Sequence, residues 1–253
     1  MIGVGLVTLV VPAKDEGGAI AATLRSLPRS TLHAAGYRTE VIVLDGHSRD
    51  ETVTIARSLG AAVLPDRGHG KGSALREARS AFQGDYVIML DGDGTYATDA
   101  IPRVLALLAS GEADVVMGDR VALDGSMSVV HRAGNALLSL GATVLYGHRV
   151  PDLCTGLWGF RTDALRRLPL ISEGFELEAE LFALSARLHL RIRHTPVDYL
   201  PRTGDSKLAT RDGLRIGWSL VRNRFSALHR RIVPASPSRG GDLLPQVVPW
   251  QAS

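Results

Sequence analysis

The sequence predicts a single α/β domain, a mostly parallel sheet flanked by helices. Three observations carry this expectation. Short apolar runs alternate with amphipathic ones from residue 6 to residue 118, and acidic residues gather where the apolar runs end. A chain of 253 residues with 45% hydrophobic content can fill one sizeable core. Strands that alternate with helices imply right-handed βαβ units and hence parallel pairing.

The elements follow in order. LVTLVVP is a buried strand; the segment MIGVGLVTLVVPAKDE has the apolar run of a signal peptide, but no basic n-region precedes it and the run ends in Lys-Asp-Glu. GAIAATLRSL follows as a helix. EVIVLD pairs with DETVTIARSLG, AAVLP with GKGSALREARSAF, and YVIMLD with DAIPRVLALLAS, each a strand followed by a helix, and ADVVMG is a fifth strand. ALLSLGATVLYGH is apolar but short and broken by glycine, so no membrane span is expected. In residues 211–231, Leu214, Trp218, Val221, Phe225 and Leu228 recur at helical spacing, while Arg211, Arg215 and Arg222 share another face. Such a basic amphipathic helix can lie in a membrane interface or pack on the protein's own core. Residues 1–230 form the expected domain; 231–253, with Pro234, Pro237, Pro245 and Pro249, lose periodicity and are expected to be a flexible tail.

Composition excludes several classes. Lys and Arg total 29 against 26 Asp and Glu, a net charge of +3, so no global field marks a nucleic-acid binder. Cys154 is the single cysteine, which excludes a disulfide framework or a Cys-rich metal site and is compatible with a reducing cytoplasm. A buried, inert thiol is expected there.

In open α/β sheets, ligands bind beyond the carboxyl ends of the strands. The candidates are therefore Lys14, Asp15 and Glu16 after the first strand, Asp45 and His47 after the second, and Asp91 and Asp93 after the fourth. In YVIMLDGDGTYATDAI the two carboxylates of Asp91 and Asp93 can both face a hard divalent cation, with Gly92 and Gly94 permitting a tight turn. Mg²⁺ or Mn²⁺ held this way shares its other positions with phosphate oxygens. The alternative is a solvated Asp-Gly turn; an EF-hand is excluded because its further acids are missing. DRGHGKGSALREA places Gly68, Gly70, Lys71 and Gly72 just before a helix, where amide groups and a lysine could meet an anion or simply cap the helix. The Walker A spacing is absent, and no G-x-G-x-x-G follows the first strand.

VVPAKDE, EVIVLDGHSRDET, GHGKGSALREA and DGDGTY, in this order, resemble family 2 glycosyltransferases of the nucleotide-sugar-binding fold called GT-A. GDR at 118–120, DLCTGLWGFR, GFELEAEL and YLPRTGDSKLATRDGLRIG resemble the branch that makes polyprenyl-phosphate sugars, including dolichyl-phosphate mannose synthases. The resemblance covers about residues 6–220 and implies a donor half at 1–120 and an acceptor half at 121–230.

It further implies that Pro12, Ala13 and Glu16 line the nucleotide pocket, that Asp45 contacts base or ribose, and that Lys71 contacts the donor. Asp91 and Asp93 would bind Mg²⁺ or Mn²⁺ on the donor diphosphate. The branch often has a glutamine two residues after the second aspartate; here Thr95 stands there, leaving water as a replacement ligand. Arg120, Arg132, Arg202, Ser206 and Lys207 would cradle the lipid phosphate, a role suited to arginine's planar fork, though each taken singly reads equally as a solvated charge. A phosphate acceptor is already an anionic nucleophile, so no strong general base is required. Glu178, among Glu176, Glu178 and Glu180, is the acid expected nearest the reacting groups, orienting sugar or acceptor, or else a helix-start acid favoured by the dipole. His131, His148 and His194 lack metal-ligand spacing and are expected to be structural.

The implied activity is an inverting, metal-dependent transfer of a sugar from a nucleotide-sugar donor, GDP-mannose or a UDP-sugar, to a polyprenyl phosphate at the cytoplasmic membrane face. A soluble acceptor served by the same donor half is the alternative. A nucleotidyltransferase or a non-catalytic nucleotide-binding subunit would also use such a fold, the former releasing pyrophosphate.

Overall fold

The structure, a computed structural model, describes residues 5–66, 70–122, 128–201 and 210–226. The first half alternates as β1 (Leu6–Ala13), α1 (Ile20–Ser26), α2 (Arg29–Ala34), β2 (Arg38–Asp45), α3 (Thr52–Ser58), β3 (Ala62–Pro65), α4 (Lys71–Ala78), β4 (Tyr86–Met89), α5 (Ile101–Ala109) and β5 (Val115–Ala122). The second half contains α6 (Val129–Tyr146), β6 (Trp158–Arg161), α7 (Thr162–Arg167), α8 (Leu177–Arg187), β7 (Ile192–Tyr199) and α9 (Thr210–Phe225).

Seven strands form one sheet in the order β3-β2-β1-β4-β6-β5-β7, with β6 antiparallel to both neighbours and the other pairings parallel. Both faces are covered, which is why β1, β2 and β4 read as nearly continuous apolar runs. Side chains alternate between two cores. Val7, Leu9 and Val11 of β1 join α1, α3 and α5, whereas Val10 joins Leu75, Phe82, Leu177 and Phe182 on the opposite face.

Local chemistry sets the element boundaries. Leu27 is extended ahead of Pro28, whose ring disfavours a helical predecessor, and this separates α1 from α2. The Ser128 side chain accepts a hydrogen bond from the His131 amide at the start of α6, and Gly147, at φ 66°, ends it in the left-handed region. The short strand β6 is held by close approach: a Cβ on Gly159 would meet Val104 of α5 at 2.3 Å, so only glycine lets α5 lie on the sheet there.

The antiparallel β6 decides where the site is built. Because Trp158 pairs with Met89, the segment leading into β6 arrives at the carboxyl end of β4. The carboxyl ends of β1, β2, β4, β5 and β7 share that edge.

Candidate active site

At the end of β1, the Gly92 amide donates to Pro12 O (3.1 Å) and the Gly46 amide to Ala13 O (2.8 Å), joining the three central strand ends. The loops after β1 and β2 then interlock. The Asp15 amide donates to Ser48 Oγ, the Arg49 amide to Asp15 Oδ1, the Glu16 amide to Thr52 Oγ1 and the Gly17 amide to Asp50 Oδ2. Asp15 and His47 both have positive φ, of 50° and 59°, which these cross-links hold in place. The buried Asp45 carboxylate accepts from the Ser48 amide, and His47 Nε2 lies 3.2 Å from Asp66.

After β4, Asp91 and Asp93 sit differently. Asp93 is buried, and its Oδ1 accepts from the Thr95 amide (3.0 Å) and the Thr95 hydroxyl (2.6 Å). Thr95 thus orients Asp93. Asp91 is 31% exposed, and its Oδ1 is 2.6 Å from Lys71 Nζ. The same ammonium is 2.8 Å from Glu178 Oε1, in the first turn of α8. Burial pulls the Lys71 pKa down, but the charges of Asp91 and Glu178 and their hydrogen bonds outweigh it and hold the pKa above the ordinary lysine value. Burial pushes the Glu178 carboxyl up, partly offset by Lys71.

The glycines around Lys71 differ from the expected anion nest. The Gly70 amide donates to Asp66 Oδ2 and the Gly72 amide to Glu173 O, so both donors are engaged within the protein. A Cβ on Gly72 would lie 2.4 Å from Ser172 O, and one on Gly70 2.7 Å from Glu173 O. These glycines let the loop before α8 approach α4 closely, which brings Glu178 to Lys71. Gly68 lies outside the described residues.

A second network supports the acceptor side. Arg120 Nε and Nη2 form a fork onto Asp152 at 2.6 and 2.8 Å, and the guanidinium stacks over Tyr199 at 5.1 Å. Asn135 of α6 donates to Asp152 Oδ1 and accepts from the Cys154 amide, while Ser139 accepts from the Leu153 amide. Arg120 therefore turns its fork inward. Arg132 is exposed one turn before Asn135, on the same side of α6. Arg202, Ser206 and Lys207 lie outside the described residues, as do Leu228, the Arg211 side chain and the tail.

Sequence reasoning passed over Tyr96, Asp152 and Gly156. The Tyr96 hydroxyl accepts from the Gly156 amide at 2.5 Å, and a Cβ on Gly156 would fall 2.0 Å from Asp91 Oδ2. The visible signal was an aspartate and a glycine within an otherwise apolar DLCTGLWGF. Glu176 and Glu180 serve their own loop: Glu176 accepts from the Glu173 and Gly174 amides, and buried Glu180 from the Ile171 and Ser172 amides. The half-buried His148 and His194 have ring centroids 6.1 Å apart, and burial pushes the half-buried Cys154 thiol up to about 12.

Among the described residues, no group of three His, Cys, Asp or Glu could hold a metal. Two hard carboxylates at one strand end, one of them partly exposed, fit a divalent ion completed by phosphate oxygens and water. A covered, mostly parallel sheet with such a carboxyl edge agrees with the GT-A fold that the sequence resemblance implied.

The chain belongs to glycosyl transferase family 2, whose family model matches residues 8–168. It is 34% identical over 219 residues to the low-salt glycan biosynthesis hexosyltransferase Agl6 of Haloferax volcanii, covering 85% of this chain and 52% of that one. It thus spans about half of that relative's length. It is also 34% identical to the dolichyl-phosphate hexose transferase of the same organism, covering 85% of this chain and 92% of the relative. In fold, it is similar to Mycobacterium tuberculosis glucosyl-3-phosphoglycerate synthase in complex with Mn²⁺ and UDP-glucose. That similarity has a TM-score of 0.69 and 21% identity, covering 87% of this chain and 79% of that one. Membership of this family places the chain among the glycosyltransferases.

Proposed function

We propose that the enzyme transfers a hexose from a nucleotide diphosphate donor to a polyprenyl phosphate, with inversion, while docked on the cytoplasmic face of a membrane. The observation that carries the lipid acceptor is the outer surface of α6 and α9. Leu214 (81% exposed), Trp218 (66%) and Phe225 of α9, and Leu137, Leu140 and Val144 (75%) of α6, are exposed on two helices that pack against each other. Exposed apolar patches of this kind mark contacts with membranes or partners. Of the stripe read in the sequence, Leu214, Trp218, Val221 and Phe225 are exposed, while Ile216 and Leu220 face the core beside buried Ser219 and Asn223. Among the described residues no helix is long and apolar enough to cross a membrane, so docking is peripheral in this reading.

Helix α6 also carries Asn135 into the Asp152 network, which connects the docking surface to the site. The name of the dolichyl-phosphate hexose transferase supports the same acceptor class.

In the chemistry, Pro12, Ala13, Glu16 and Asp45 line the nucleotide end, and Asp91 and Asp93 hold Mg²⁺ or Mn²⁺. When bound, the ion neutralises the charge that develops on the departing diphosphate. The acceptor phosphate needs no base, so Glu178 positions Lys71 and the sugar rather than removing a proton. Arg132, with Arg202, Ser206 and Lys207, meets the lipid phosphate, and Arg120 fixes Asp152 beneath it.

Purified protein with Mn²⁺ and a panel of GDP- and UDP-sugars is expected to release nucleoside diphosphate only when a short-chain polyprenyl phosphate is present, and not in excess chelator. Release indifferent to the lipid would redirect the assignment to a soluble acceptor.

A further inference from the structure

We propose that Lys71 is the built-in counter-cation of Asp91, one of the two carboxylates read as ion ligands, and makes divalent-ion binding conditional on the nucleotide. The proposal rests on the reading of Asp91 and Asp93 as ion ligands given above. Both oxygens of Asp91 have neighbours within the protein: Oδ1 receives the Lys71 ammonium at 2.6 Å, and Oδ2 abuts Gly156, where a Cβ would stand 2.0 Å away. An ion approaching Asp91 alone therefore meets a unit positive charge on the same carboxylate. Lys71 is only 17% exposed, so water screens this repulsion poorly.

The position of Lys71 is itself informative. It is the first residue of α4, at the end of a helix where the dipole disfavours a cation. Asp91 and Glu178 compensate, and they come from 20 and 107 residues away. Glu178 is 12% exposed and belongs to α8, so the ammonium can leave Asp91 without leaving its second partner. An ammonium has three donors, and two of them serve these carboxylates. A diphosphate entering over the β4 edge can take the third and then the bond released by Asp91. That exchange frees Asp91 Oδ1 for the ion at the moment when the phosphate oxygens needed to complete its shell have arrived.

Linkage requires the effect to be reciprocal: the nucleotide strengthens ion binding by the factor by which the ion strengthens nucleotide binding. Without Lys71, the ion should no longer need the nucleotide, because Asp91 and Glu178 would then have lost the cation they share.

The test is Mn²⁺ titration of the full chain without nucleotide, followed by the loss of the free-ion paramagnetic resonance signal. Wild type is expected to bind weakly. Lys71→Met is expected to bind about tenfold more tightly or better, within the usual roughly 5–150-fold range of site coupling. Lys71→Arg, which keeps the charge, should stay as weak as wild type, and adding Asp91→Asn to Lys71→Met should abolish the gain. If Lys71→Met fails to fold, as judged by circular dichroism, Lys71→Met combined with Glu178→Gln leaves one fewer stranded charge and gives the same readout.

Affinity in Lys71→Met no higher than in wild type overturns the proposal. If at the same time Asp91→Asn loses the Mn²⁺ complex formed with UDP or GDP, the ion site stands and only the role of Lys71 falls. An Asp91→Asn protein that retains that complex removes the ion site and this proposal together.

Discussion

The carboxyl edge of the sheet and the outer face of α6 and α9 follow opposite rules. At the edge, charged groups from distant segments are paired, Lys71 with Asp91 and Glu178 and Arg120 with Asp152, and Asp93 is held by the Thr95 hydroxyl two residues on. On the outer face, large apolar groups are exposed among the described residues, while Ser219 and Asn223 of the same α9 are buried. Helix α5 shows the ordinary arrangement, with Ile101, Val104, Leu105 and Leu108 all inward. The contrast indicates a division of labour. In the proposed function, chemistry belongs to the preorganised polar edge and access of an apolar acceptor to the exposed face of α6 and α9.

The largest expected effect concerns the edge. Asp93→Asn should lower turnover roughly 100-fold or more, comparable to removal of one preorganised electrostatic group, with the circular dichroism spectrum unchanged. The loss should be equal for short-chain and membrane-borne acceptors; a loss confined to the membrane-borne one would mean that the edge is not the chemical centre.

Next comes a pair of identical substitutions in opposite environments. Leu105→Ala should cost about 2–5 kcal/mol of stability in denaturant unfolding, whereas Leu214→Ala should stay within about 0.5 kcal/mol. Equal costs would show that the outer face of α9 is covered in solution.

Trp218→Glu sharpens the comparison further. Burying such a side chain is worth about 1.5–3 kcal/mol, so binding to anionic liposomes should fall about tenfold or more while short-chain turnover is retained. Wild-type binding should weaken with added salt, since Arg215 is exposed on the same helix, whereas Arg222 turns inward toward buried Glu180.

What the sequence made legible divides along the same line. β1, β2 and β4 were readable because burial on both faces leaves unbroken apolar runs, and Asp45, Asp91 and Asp93 follow from where those runs stop. β6 was not readable: Trp158–Arg161 is four residues long, contains Gly159, and is defined only by distant partners in β4 and β5. The periodicity of α9 was visible, but not which face turns inward, because only Ile216 and Leu220 mark the inner side. Gly70 and Gly72 were legible as special but not as the close-approach positions that bring in α8. The partners of Lys71 lie too far along the chain for spacing to reveal them.

The smallest expected effect belongs to neither surface. His148, just past the end of α6, and His194 of β7 are half-buried, and burial, joined by Arg193 for His148 and by His148 itself for His194, lowers both pKa values below 6.5, with a backbone hydrogen bond at Arg149 and the Asp152 charge opposing in part for His194. The unfolded chain then binds protons more readily than the folded one, so stability is full above pH 6.5 and declines as pH falls below it. Denaturant midpoints from pH 8 to 5 should show this decline, and His148→Phe should flatten it; a midpoint that rises on acidification would reverse the assignment.

The most direct test of the central claim is the mass of the product. Protein incubated with Mn²⁺, the active nucleotide-sugar and polyprenyl phosphate is extracted into organic solvent and analysed by mass spectrometry. The account predicts an organic-phase species equal to the polyprenyl phosphate plus one hexose residue. Hexose recovered only in a water-soluble product would contradict it.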